Sequence, residues 1–307
     1  MRINTFSIVI GNKACNAKCG FCISRMTGFS EVHGKRILRQ VPLAAEPPNF
    51  TSAVRLARIA GTTTVLLTGK GEPTLDPNEI TQYLQLLNNG FPFIELQTNG
   101  LSFGRAFRGS TAELEEWSSL LRKWRGHGLN TIAISVVSTN DDQNAEVYHQ
   151  DYPSLRNTII RLHQLGFTVR LSLMLVSGIV DSPERLKDVI SWCRENAVEQ
   201  LTIRSIRKPD STHDEAVSEF VLKRGLTPEQ EARIVKFVDN RGKLILQLSH
   251  GAKIYDLYGQ NICLTDCLTI PEQPDHIRTL IYYSNGRLAY DWQHSGAVLL
   301  GGQGVEP

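Results

Sequence analysis

The chain has 307 residues, of which 41% are hydrophobic and 21% charged, with a formal net charge of +2. That length can bury a large core, and the balanced charge argues against a broad nucleic-acid surface or a polybasic membrane anchor. No apolar run reaches membrane-spanning length and the first ten residues lack a secretory pattern, so the expectation is a cytoplasmic protein with no membrane partner.

In chain order, β-rich runs are expected at residues 6–10, 64–68, 93–97, 131–136, 168–175 and 201–206. Helical periodicity falls between them, at 51–60, 77–89, 111–125, 154–165 and 183–196. Asp76-Pro77 and Ser182-Pro183 read as N-caps followed by Pro at the first helical position, and Gly90, Gly126 and Gly166 stand where helices should stop. Six strands joined by helices imply parallel pairing, in an open doubly wound sheet or a barrel-like array. Both arrangements place chemistry at the carboxyl ends of the strands.

After residue 206 the pattern changes. Thr227-Pro228-Glu229-Gln230 opens a helix with a capping box, and 244–248 reads as a strand. Runs at 279–283 and 288–292 flank Ser284-Asn285-Gly286-Arg287, a strong hairpin signal. The expected organisation is a core over 1–210 and an α+β extension over 211–307 that covers the barrel mouth, with the hairpin near 279–292.

Three of the six cysteines, Cys15, Cys19 and Cys22, fall within eight residues just after the first strand. In a reducing compartment such clusters serve metals or catalysis more often than disulfides. A zinc site completed by a distant residue would use them; so would an iron–sulfur cluster, which ordinarily takes four thiolates, so that three leave one iron for another ligand. Cys193 lies on the apolar face of a helical pattern, whereas Cys263 and Cys267 suit a second metal site, hydrogen donors or packing. After the second strand comes Thr68-Gly69-Lys70-Gly71-Glu72-Pro73. Its glycines let backbone approach a ligand closely, but its spacing is neither a P-loop nor a dinucleotide fingerprint.

Together, Cys15-x3-Cys19-x2-Cys22 with Phe21 before the third Cys, and Gly69-x-Gly71-Glu72-Pro73 at the next strand end, resemble the radical S-adenosylmethionine (SAM) enzymes. The resemblance spans about residues 5–206. It implies an α/β fold, a partial (β/α)6 TIM-like barrel with a C-terminal α+β extension. It also implies an enzyme in which Cys15, Cys19 and Cys22 ligate a [4Fe–4S] cluster and SAM chelates the fourth iron. Reductive cleavage of SAM would give a 5′-deoxyadenosyl radical that abstracts hydrogen from a substrate, with a one-electron donor such as flavodoxin or ferredoxin as partner.

On the same pattern Gly71, Glu72 and Pro73 would lie along the methionine amino group, with Gly69 at the start of the same cofactor-binding loop. Phe21 would lie beside adenine, Thr98, Asn99 and Ser135 near the ribose, and Arg170 against the SAM carboxylate. Candidates for the substrate are Ser172, Arg204, Arg207, His250, Tyr255, Cys263 and Cys267. Strand alternation makes Arg204 an inward-facing cation that favours a phosphate or carboxylate. The order of features resembles the branch of the molybdenum-cofactor cyclase and viperin, although the C-terminal cysteines number only two. The expected substrate is an anionic, nucleotide-like or other small molecule; the alternatives are a peptide substrate, or a non-catalytic zinc or iron–sulfur module.

Overall fold

The computed structural model describes residues 2–11, 14–26, 46–208, 214–265, 276–292 and 294–302. The first part alternates β1 (Arg2–Ile10), α1 (Ile23–Met26), α2 (Phe50–Ile59), β2 (Thr64–Gly69), α3 (Pro77–Leu87), β3 (Phe93–Thr98), α4 (Leu101–Ala106), α5 (Thr111–Gly126) and β4 (Thr131–Val136). It continues with α6 (Asp141–Tyr148), α7 (Leu155–Gln164), β5 (Thr168–Leu175), α8 (Pro183–Glu195) and β6 (Gln200–Ser205). Strands β1 to β6 are neighbours in chain order and every pairing among them is parallel. Each crossover carries a helix back over the same face. The result is an α/β partial TIM-like barrel.

The described residues beyond 214 form α9 (Glu215–Arg224), α10 (Pro228–Arg241), β7 (Lys243–Gln247), β8 (Lys253–Leu257), β9 (Gln260–Leu264), β10 (His276–Tyr282), β11 (Leu288–Ala289) and β12 (Val298–Leu300). They lengthen the sheet at both edges, in the order β12-β11-β10-β1 through β6-β9-β8-β7. Both β10 on β1 and β9 on β6 are parallel, so eight consecutive strands run the same way. Across the turn at 284–287, β10 pairs antiparallel with β11.

Local signals explain most helix ends. Ser182 and Thr227 cap their helices, the latter in a full capping box, and Gly166 follows α7 in the left-handed region. Two ends depart from expectation. The left-handed residue closing α3 is Asn88 rather than Gly90, and Asp76 makes no side-chain cap. A 3-10 turn over Pro73–Leu75 runs straight into α3, so the Asp76 carbonyl accepts the amides of Glu79 and Ile80 through the backbone.

The outer face of β1 is apolar. Phe6 packs with Phe50 of α2 and Tyr282 of β10, and Phe50 reaches Tyr83 of α3 at 5.3 Å between centroids. Phe6 is fully buried where these elements meet. The inner face is polar: Ser135, Ser172, Thr202 and Cys263 lie side by side in one register layer of β4, β5, β6 and β9. Replacing Phe6 by Ala should cost about 3–5 kcal/mol, read as a lower urea midpoint with an unchanged slope.

Candidate active site

At the carboxyl ends of the strands a cavity of roughly 260 Å³ is lined by Cys15, Cys19, Cys22 and Phe21 on one side and by Gly69, Gly71, Glu72 and Pro73 on another. Thr98, Asn99, Ser135, Met174, Arg204 and Arg207 complete its wall. The cysteine motif follows β1 and the glycine motif follows β2, so parallel pairing sets the two loops side by side.

A buried carboxylate holds these loops together. Glu72 is 4% exposed, and its side chain accepts hydrogen bonds from Thr74 N (3.1 Å), Thr74 Oγ1 (2.7 Å), Thr98 Oγ1 (2.6 Å) and Asn99 N (2.9 Å). Its backbone N–H donates to Ala14 O at 2.9 Å in the cysteine loop. Burial pushes the Glu72 carboxyl up, and the donors from Asn99, Thr98 and Thr74 oppose that. The next link is Asn99, whose Nδ2 donates to Asn16 Oδ1 at 2.7 Å and lies 3.8 Å from Cys15 Sγ.

The thiols share one environment. Burial, and then the charges of Cys22 and Cys15, push Cys19 far above the ordinary thiol range; burial also raises Cys15, opposed first by the Ala17 N–H. Without a metal Cys15 and Cys19 are therefore protonated, and a metal would displace those protons on binding. Among the described residues no three His, Cys, Asp or Glu side chains converge on a single ion. The three thiols line one cavity. The loop at Gly69 is also tight: a Cβ there would meet Pro73 Cγ at 3.1 Å and the carbonyls of Gly71 and Ile10 at 3.2 Å.

The Radical SAM superfamily profile matches residues 9–193. The chain belongs to the radical SAM superfamily. It is therefore an enzyme of the class that works with a [4Fe–4S] cluster and SAM, and the soft thiolate set with a close-packed glycine loop beside it fits both groups. No curated protein matched. Among solved structures the fold is similar to SuiB of Streptococcus suis bound to its precursor peptide SuiA, at TM-score 0.54 and 15% identity, over 94% of this chain and 59% of that one. It is also similar to the radical SAM enzyme coproporphyrinogen III oxidase (HemN) of Escherichia coli, at 0.51 and 12% over 94% and 64%. Methylornithine synthase (PylB) gives 0.50 and 16% over 89% and 74%. The chain thus spans about three fifths of the length of SuiB.

Several residues singled out in the sequence lie elsewhere or spend their polar atoms within the protein. Arg170 does not reach the cavity: it sits four residues, or about 13 Å of strand, below Met174, and its guanidinium pairs with Glu95 and touches Thr202 at 3.5 Å. The Thr98 hydroxyl gives its proton to Glu72 and accepts from Gly100 N at 3.0 Å, so it braces the loop. Tyr255 pairs with Ile262, the neighbour of Cys263; alternation turns it to the opposite face, where it bonds Asp239 in a separate cavity beside α10. Ser172 is buried beside Ser135 but does not line the cavity, and Cys267 lies outside the described residues.

Cys263 faces the lumen on β9, and Arg204, Arg170 and Arg278 offset part of the rise that burial gives its thiol. Two contacts had no sequence signal. Phe220 of α9 presses on Gly20, where a Cβ would meet its ring at 2.5 Å, and the buried Tyr148 of α6 lines the cavity against Phe21.

His250 packs near the amino end of β1, with Nδ1 3.3 Å from the Asn4 amide. Burial, followed by Arg278 and Arg204, pulls its pKa from 6.5 down to about 4. The unfolded chain therefore takes up a proton below pH 6.5 that the folded chain refuses. Stability present above pH 6.5 should fall as pH drops toward about 4, and His250→Gln should flatten that stretch of the curve, measured by urea unfolding across this window. Glu72→Gln keeps the shape but turns one acceptor into a donor facing donors, so it should cost about 1–3 kcal/mol; its thermal midpoint should drop even without cofactors.

Proposed function

We propose that Cys15, Cys19 and Cys22 ligate three irons of the cluster, that Gly69, Gly71, Glu72 and Pro73 receive the methionine end of SAM, and that the substrate is an anionic small molecule held by Arg204. When bound, cluster and SAM supply one-electron cleavage of the sulfonium and the hydrogen-atom abstraction that follows. The protein's own part is positioning and exclusion of water. The side chain of Glu72 is committed to Thr74, Thr98 and Asn99, so it fixes the loop while backbone groups beside it face the amine. Phe21 offers an aromatic face for adenine, and Ser135 a hydroxyl for the ribose.

Arg204 is the observation that carries the substrate class. It lines the cavity shared by the three cysteines, and its Nε is shut off from solvent with no hydrogen-bond partner among the described residues. Burial, then Arg170 and Arg278, lower its pKa to about 10, which leaves it cationic at neutral pH and short of an anion. A phosphate or carboxylate would satisfy both needs, and a guanidinium binds either one bidentately. Arg207 also lines the cavity but is paired with Glu231 at 2.7 Å. A peptide substrate is the second reading. It is favoured by the open edge strand β7, all five of whose residues are exposed, because an extended chain can add to such an edge.

Anaerobic reconstitution with iron, sulfide, dithionite and SAM should yield 5′-deoxyadenosine, and serine at Cys15, Cys19 or Cys22 should abolish both cluster uptake and SAM cleavage. Zinc in place of iron, or a reduced cluster that leaves SAM intact, would overturn the reading. For the substrate class, calorimetry with inorganic pyrophosphate on the SAM-loaded protein should show binding that weakens at least about tenfold in Arg204→Met, or roughly 1.4 kcal/mol. Equal binding by both proteins removes the anion assignment.

A further inference from the structure

Tyr148 ends α6 and is fully buried. Its ring is wedged between Phe21, at 6.3 Å between centroids, and Tyr152, at 5.7 Å. Its carbonyl accepts the Lys18 amide at 3.0 Å, which fixes the residue against the cysteine loop. The next residue, His149, takes the left-handed conformation that stops the helix at this point. Position and orientation are therefore set by backbone and packing, neither of which needs a hydroxyl.

Yet the hydroxyl is there. Tyr148 Oη is shut off from solvent and has no hydrogen-bond partner among the described residues, although the side chain lines the cysteine cavity. Phenylalanine would fill the same space without stranding a polar group, and a buried donor left unpaired is costly. The orphan donor thus points to an acceptor that arrives with a bound group. Of the ionisable groups around Tyr148, Cys19 bears on it most, ahead of Tyr152, Glu72 and Cys15. Glu72 already accepts four hydrogen bonds. A protonated thiol is a weak acceptor, whereas a metal-bound thiolate carries the negative charge that an O–H donor seeks.

We propose that the Tyr148 hydroxyl donates a hydrogen bond to the Cys19 thiolate when that thiolate ligates the cluster, and thereby raises the cluster's reduction potential. The inference rests on Cys19 being a cluster ligand. Reduction adds an electron whose charge spreads onto the sulfurs, so a donor on one of them stabilises the reduced form more than the oxidised form. Tyr148 is a positioning and tuning residue in this scheme; it transfers no proton and touches no reacting carbon.

The test compares wild type with Tyr148→Phe after anaerobic reconstitution, in a dye-mediated redox titration that follows the reduced cluster by electron paramagnetic resonance. Both proteins should take up the same iron. The variant should be harder to reduce, with a tenfold lower ratio of reduced to oxidised cluster at a fixed potential, equivalent to about 59 mV for one electron. A second measurement needs no variant: electron–nuclear double resonance on the reduced wild type should detect a coupled proton that disappears in D2O. A fully loaded variant with an unchanged or higher potential overturns the proposal, as does the absence of an exchangeable proton. Wild type that takes up no four-iron cluster overturns the ligand assignment beneath it as well, so the two failures are told apart by the iron content of the wild type.

Discussion

The four hydrogen bonds into the buried Glu72 carboxylate are the constraint on which the site depends. They join the glycine loop after β2 to the end of β3, and the Glu72 amide joins both to the cysteine loop after β1. A carboxylate out of water is tolerable only when donors surround it. Here the donors come from the loop after β2 and the end of β3, so satisfying one charge fixes those two against each other, while the backbone amide ties the pair to the cysteine loop. Asn99 passes that order on to Asn16 and Cys15.

Electrostatics then divides the barrel into zones. Near the mouth the Cys15 and Cys19 thiols are held protonated by burial until a metal takes them. Deeper, Arg170 and Glu95 neutralise one another, whereas Arg204 faces the cavity with cations for neighbours. His250 stays neutral beside Arg278 and Arg204. A lumen built this way is prepared for negative charge at the level of Arg204, and the pair below it serves as packing with its charge cancelled. The chain's net charge of +2 gives no sign of this local excess.

The described part of the extension contributes more than an appendage. Strands β9 and β10 continue the parallel order on each side of the six-stranded core. Tyr282 enters the aromatic cluster under β1, and its hydroxyl donates to Pro48 O at 2.6 Å. Phe220 of α9 fills the space that glycine leaves at position 20 of the cysteine loop. Residues far apart in sequence thus brace the N-terminal motif from behind.

The sequence by itself determined the alternation of strands and helices, the parallel order that follows from it, and the two loop motifs, because these depend on local periodicity and short spacings. It also made Arg204 the sharpest inward cation. Only the tertiary structure decided which motif residues spend their polar atoms on one another. The Thr98 hydroxyl gives its proton to Glu72, and Arg170, expected against a carboxylate at the mouth, lies deeper and pairs with Glu95. Alternation along β8 likewise sent Tyr255 to the face away from Cys263. Tyr148 carried no signal at all, since its significance is a hydroxyl without a partner, and whether a donor is satisfied depends on what the fold brings within about 3 Å of it.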